Sequence, residues 1–259
     1  MKNLIQICTV ICATAITTEA TLASDAIDPG DRDVRWVLGG GGVVYNNAYR
    51  GEDQSGGLFP NIRYNGDRFF IKNATFNVAL GQFGAFSTGL TLSPDRGFLS
   101  DEDDYRDNTQ LAGLQERDAT IEGGFYVNHT TALGRANLRV LSDLGHEHDG
   151  ETATLSYIFD LKAGSWHINP VVGLHWMSDQ KTNHYYGVSL SESNAQRSAY
   201  TSGSALNAFF ALRTRYEFST HWDIGIEAGV TRLDSGISES PIVDEEYSTH
   251  GAISVSYNF

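Results

Sequence analysis

Residues 206–230 read LNAFFALRTRYEFSTHWDIGIEAGV, and the order of apolar and polar positions in them decides the fold. Leu206, Ala208, Phe210, Leu212, Tyr216 and Phe218 fall in one phase of a two-residue period, against Asn207, Arg213, Arg215 and Glu217. After Ser219–His221 the alternation resumes, with Trp222, Ile224, Ile226, Ala228 and Val230 against Asp223, Gly225, Glu227 and Gly229. A helix would mix the two sets on one stripe, whereas a strand separates them, so the stretch is two strands and a tight hairpin.

The pattern extends in both directions. At 166–176, Trp166, Ile168, Val172, Leu174 and Trp176 oppose His167, Asn169, Gly173 and His175. Aromatic side chains at both ends of an apolar face suit a strand that crosses a bilayer between interfacial girdles. Segments 151–160, 135–142 and 119–127 alternate too, and the first half adds 34–45, 58–64, 67–72, 74–80 and 86–93. Asn65–Gly66 marks a two-residue hairpin. The phase break at Asn73 marks a turn or a bulge; a turn gives about 12 strands, an even number as single-chain bacterial barrels have, and 10 is the alternative. The expected fold is therefore an all-β, antiparallel transmembrane barrel. Short turns are expected near 65–66, 81–85, 129–133, 161–164 and 219–221 on the periplasmic side. Long outward loops are expected at 46–57, 94–117, 143–150, 177–204 and 231–249.

The N-terminus fits export to such a site. Lys2 precedes an apolar stretch through Leu4, Ile5, Val10 and Ile16, and small residues follow at Ala20, Ala23 and Ala26. This predicts a signal peptide over 1–23 and a mature barrel over 24–259. Both cysteines, Cys8 and Cys12, lie in the leader, so the mature chain has no thiol. Mean hydropathy is −0.28 and net charge −14; a helical membrane protein is excluded, and nucleic acid is not a partner, because no basic surface exists to neutralise phosphates. The chain stops on Ile253, Val255, Tyr257 and Phe259 in one phase. Such an ending resembles the final strand of outer-membrane barrels, in which the terminal aromatic is an assembly signal, here Tyr257 and Phe259.

From residue 45 onward the sequence resembles the MipA/OmpV family of Gram-negative outer-membrane proteins. Tyr49, Gly51, Pro60, Tyr64 and the Arg68–Ile71 run resemble its opening hairpin. Arg96, Leu111 and Gly113–Leu114 resemble its first long loop. Gly145–His146, Gly150, Tyr186–Val188 and Ser240–Val243 complete the pattern. The resemblance implies an outer-membrane location in lipid and lipopolysaccharide, insertion by the barrel assembly machinery, and a non-enzymatic scaffold role whose periplasmic turns or N-terminal segment meet a lytic transglycosylase or another peptidoglycan enzyme. A narrow charge-selective porin and an adhesin acting through its outer loops are the alternatives, and no cofactor is expected.

The strand phases direct Arg135, Arg139, His167, His175, Arg213, Arg215, Glu217, Asp223 and Glu227 into the lumen. There, charges of both signs pair with one another or line a restricted passage. His146–Glu147–His148–Asp149 lacks the one-turn histidine spacing of a zinc-protease helix and is expected to be a solvated loop, with no metal assigned. Asp101, Glu102, Asp103 and Asp104 form an acidic run, a weak cation loop at most, without the glycine of a calcium loop. Ser142, His146 and Asp149 have the residue types of a hydrolytic triad, but Ser142 has no nucleophile elbow around it, so no catalytic residue is assigned.

Overall fold

A strand pattern of this kind has to close on itself if one face meets hydrocarbon, because an open edge would leave backbone N–H and C=O groups without partners. A computed structural model describes residues 35–52, 54–100 and 105–259, and shows that closure. The strands are β1 (Trp36–Asn46), β2 (Gln54–Asn65), β3 (Phe69–Lys72), β4 (Thr75–Phe83), β5 (Phe86–Asp95), β6 (Thr120–Thr131) and β7 (Gly134–Asp143). They continue as β8 (Glu151–Phe159), β9 (Leu161–Ala163), β10 (Trp166–Met177), β11 (Ala205–Glu217), β12 (Trp222–Arg232) and β13 (Tyr247–Asn258). Both β8 and β9 pair with β10, on either side of a break at Asp160, so they are one strand and the barrel has 12. Every pairing is between sequence neighbours and antiparallel, and β1 with β13 closes the ring.

The predicted leader over 1–23 and the acidic run Asp101–Asp104 lie outside the described residues. The phase break at Asn73 is a turn, which Asn73 makes with φ +51, a conformation asparagine tolerates. The second strand starts at Gln54 rather than at 58, because Gly56 and Gly57 carry no side chains to show an alternation. The expected loop at 177–204 contains a helix, α1 (Asp179–Tyr186), capped by Ser178, and α2 (Ser235–Ser238) lies in the last loop.

Outward positions such as Leu90, Leu155, Leu174, Phe210, Ile226 and Ile253 are exposed to the surroundings, and inward ones such as Asn77, Asn128, Asn137, Ser156, Asn207 and Ser256 are buried. The rim that holds Arg35 and the C-terminus is ringed by aromatic pairs: Trp36–Tyr64 and Trp166–Tyr216 with centroids at 4.7 Å, and Trp222–Tyr257 at 5.1 Å. Amphipathic rings at this level anchor a barrel at the membrane–water boundary. The terminal residue joins them, its N–H donating to the Trp36 carbonyl at 2.9 Å and its ring lying 4.7 Å from Tyr257.

The seam between β1 and β13 depends on the run Gly39–Gly42. A Cβ on Gly39 would lie 2.2 Å from the Val255 carbonyl oxygen, and one on Gly41 2.3 Å from that of Ile253. On Gly40 the nearest atom would be 3.5 Å away. Gly39→Val and Gly41→Val are therefore expected to block closure and abolish the heat-modifiable gel mobility of a folded barrel, while Gly40→Ala keeps it.

Candidate functional site: a tied cap and a charged lumen

The outer loops fold into a cap with its own apolar core. Tyr49 comes from the β1–β2 loop, and Leu99, Tyr105, Leu111 and Leu114 come from the β5–β6 loop. Val188 follows α1, and Leu233, Ile237, Ile242 and Val243 come from the β12–β13 loop. Fully burying an aliphatic side chain of this size contributes roughly 1.5–3 kcal/mol, so four connections that are individually irregular become one ordered layer.

The helix α1 ties that layer across the barrel mouth. It grows out of β10. Its Tyr185 hydroxyl donates to Asp95 at the top of β5 at 2.6 Å, and its Tyr185 carbonyl accepts from the Tyr49 hydroxyl beyond β1 at 3.1 Å. These three anchor strands lie a third of the ring apart in strand order, so the helix spans the opening. Ser240 adds a hydrogen bond to the Tyr186 carbonyl at 2.7 Å. Further out, Arg117 pairs with Glu192 at 2.7 Å, and Arg197 donates to the carbonyls of Gln110, Ala112 and Glu192. Burial pushes the Glu192 carboxyl up, but the N–H groups of Gln115 and Ser189 and the Arg117 guanidinium outweigh it and hold the pKa at about 2.

Beneath the helix lies a buried ionic cluster. Lys181 Nζ donates to Asp95 at 2.9 Å and to Glu122 at 2.8 Å, and His148 Nε2 lies 3.3 Å from Asp95. Burial pulls the Lys181 ammonium down, yet the two carboxylates hold it above its ordinary range. Burial and Asp95 together push the Tyr185 hydroxyl far up, so it acts as a donor at any accessible pH. Asp95, Glu122 and His148 have ligand atoms within 4.8 Å of one another and are of the donor types that bind a divalent cation. The ammonium of Lys181 already supplies positive charge there.

The sequence reading placed His148 in a solvated loop, and its side chain is instead fully buried while that of His146 is 80% exposed. The difference is made by the backbone: positive φ at His146 and Asp149 reverses the chain, and Asp143 holds the turn by accepting from the N–H groups of Gly145, His148 and Asp149.

Of the nine charged residues expected to face the lumen, Arg135, Arg139, His175 and Asp223 are buried, and several make local contacts among the described residues. Arg213 pairs with Glu227 at 2.8 Å, and His250 pairs with the other oxygen of Glu227 at 3.1 Å. Glu217 is 3.0 Å from His167 and 3.5 Å from Arg215. Asp223 accepts from Asn258 at 2.9 Å, and His175 bonds to Thr154 at 2.8 Å. Arg135 and Arg139 are buried on β7. His250 was missed, although Ile253 and Val255 set its inward phase. Lys181, Asp95 and Tyr185 were missed because nothing in an isolated loop sequence shows which side chains fold back over the mouth.

The geometry defines a capped transmembrane β-barrel whose wall faces lipid and whose interior is polar. The family model "MltA-interacting protein MipA" matches residues 39–259, and the chain belongs to that family. It is 29% identical over 226 residues to a putative outer membrane protein YiaT of Escherichia coli, covering 85% of this chain and 89% of that one. It is 25% identical to the outer membrane protein OmpV of Vibrio cholerae, covering 96% and 97%, and 24% identical to the MltA-interacting protein of Escherichia coli, covering 87% and 90%. Family and fold together place the protein in the outer membrane as a non-enzymatic barrel.

Two outcomes follow for the cap. Lys181→Met removes the ammonium from between two buried carboxylates, a change that typically costs about 3–5 kcal/mol, and should strip hydrogen-exchange protection from α1 while the barrel strands keep theirs. Acid should act in the same direction. Burial, then the charges of His148 and Arg117, hold the His184 pKa down at about 4. The unfolded cap therefore binds more protons than the folded one between the ordinary histidine value and about 4, and cap stability falls as pH drops through that window. Exchange of α1 amides measured across it should accelerate in the native protein and less so in His184→Gln.

Proposed function

We propose that the protein is a closed outer-membrane barrel that serves as a scaffold, with its periplasmic turns engaging a peptidoglycan enzyme of the lytic transglycosylase class. The observation that carries this reading is the α1 tie across the mouth: a barrel built to pass solutes along its axis gains nothing from a cap with its own apolar core. The cap also consumes the outer loops, which leaves less free surface for an adhesin. On the opposite rim, the β2–β3 turn presents Asp67 and Arg68, and the β11–β12 turn presents Thr220 and His221, all exposed. A relative of similar length carries a partner of the proposed class in its printed name, the MltA-interacting protein.

A narrow charge-selective passage is the second reading, favoured by the arginines of the lumen. Planar-bilayer recording on the refolded mature protein separates the two. The scaffold reading expects silence from the native chain and from an Arg213→Glu, Arg215→Glu variant, with openings only when α1 and its loop are replaced by a short glycine–serine link. It also expects co-purification of a lytic transglycosylase that is lost when Asp67, Arg68 and His221 are replaced by serine. Stable native openings whose ion selectivity moves toward cations in the double-glutamate variant would overturn it.

A further inference from the structure

Five hairpins turn at the rim that carries the C-terminus, and two of them end in apolar residues. The β4–β5 turn is Gly84–Ala85 between the paired Phe83 and Phe86, and the β6–β7 turn is Ala132–Leu133 between the paired Thr131 and Gly134. Phe83 is 73% exposed and Leu133 64%, against 43% for Trp222 of the aromatic ring at the same rim. Because β5 pairs with β6, the two turns are neighbours, and the Phe86 ring stacks on that of His129 with centroids at 4.4 Å. The other three turns differ. Asp67 and Arg68 stand exposed in the β2–β3 turn, Lys162 and Ser165 around the β9–β10 turn, and Thr220 and His221 in the β11–β12 turn. Phe69 and Phe218 stand at the shoulders of two of these turns, and the tips are polar.

The backbone of the two apolar turns suits a place without water. The Ala85 carbonyl accepts from the Thr130 N–H at 2.8 Å, and the Leu133 carbonyl accepts from the Asp160 N–H at 3.0 Å. The Gln82 amide folds back to the Gly84 carbonyl at 3.4 Å. The Leu133 N–H donates to the Thr131 hydroxyl at 3.3 Å, and that hydroxyl also meets the Tyr157 hydroxyl at 2.6 Å. Hydrocarbon accepts a turn only where its N–H and C=O groups find partners within the protein, and these turns supply them.

The apolar surface also continues into the wall. Leu80 and Leu90 follow Phe83 and Phe86 along β4 and β5, and Phe125 on β6 is the partner of Leu90, all three exposed on the lipid side. Thr88, between Phe86 and Leu90, turns its hydroxyl back to the Tyr126 carbonyl at 2.8 Å. A surface that docks a protein has a polar rim around its apolar centre. Here the turn tips run into the lipid-facing belt without such a rim, so the occupant that fits them is the one the belt already has.

We propose that the adjacent β4–β5 and β6–β7 turns are inserted into the periplasmic leaflet, with Phe83, Phe86 and Leu133 among the phospholipid acyl chains, while the three polar turns stand in water. The barrel is thereby tilted, and the arc that carries Asp67, Arg68, Thr220 and His221 projects furthest into the periplasm. The inference stands whether or not that arc meets a peptidoglycan enzyme. Beyond Cys12 the chain has no cysteine, so single nitroxide labels test it in a chain begun at residue 24 and refolded into phosphatidylethanolamine–phosphatidylglycerol vesicles. Ala85→Cys and Ala132→Cys report on the two apolar turns, and Asp67→Cys and Thr220→Cys on the polar ones; heat-modifiable mobility shows that each variant has folded, and either apolar turn serves if the other variant misfolds. The labels at 85 and 132 should show a several-fold higher ratio of oxygen to aqueous nickel-chelate accessibility than those at 67 and 220. Equal ratios at all four sites, whether water-like or lipid-like, would overturn the proposal. So would low accessibility to both reagents at 85 and 132, the sign of a protein cover such as a second copy of this chain.

Discussion

In hydrocarbon a backbone N–H without an acceptor costs several kcal/mol, and that constraint organises the whole molecule. It requires the ring to close, and closure requires β1 to approach β13 so nearly that Gly39 and Gly41 have no room for a side chain. The prolines follow the same rule. Pro170 lies in β10 with its ring toward the β8–β9 strand, opposite the break at Asp160, so the missing donor falls where the ladder is already interrupted. Pro60 lies in β2 beyond its described pairing with β3, and Pro94 lies in β5 beyond its described pairing with β4. Among the described residues, all three strand prolines thus stand where the ladder offers no partner.

The polar interior is governed by a related balance. Charges inside the wall are costly unless paired, and the described residues include local pairs, Arg213 with Glu227 and Glu217 with His167. At the mouth the balance is reached through the cap: Asp95 and Glu122 end strands of the wall, and the ammonium that neutralises them comes from a helix of a loop. Barrel and cap are therefore held together by electrostatics that neither contains alone.

Much of this was legible in the sequence, for a physical reason. Two-residue alternation is imposed by lipid on one side, so Trp222–Val230 and its neighbours announced strands and facing directions directly. The turn at Asn73 was legible as a phase break, and its consequence, a β3 of only four residues beside the twelve of β2, was not, because strand length alone does not say what stands beside it. The cap was illegible for the opposite reason. Its order comes from contacts among Tyr49, Leu111, Tyr185 and Ile242, separated by many residues and bound by no period. His148 shows the limit most sharply: identical neighbours at 146 and 148 face opposite environments because of two positive-φ residues.

The most direct test of the account is a map of cross-strand amide and α-proton NOEs on the deuterated protein in lipid nanodiscs. The account predicts a continuous antiparallel ring, closed by β1 against β13, whose β2–β3 contacts stop at Ile62–Asn73 and whose β4–β5 contacts stop at Thr75–Ser93, with none of the described strands but β1 beside Gln54–Asn61. NOEs joining Leu58 or Gly56 to β3, β4 or β5, or the lack of β1–β13 NOEs, would contradict it.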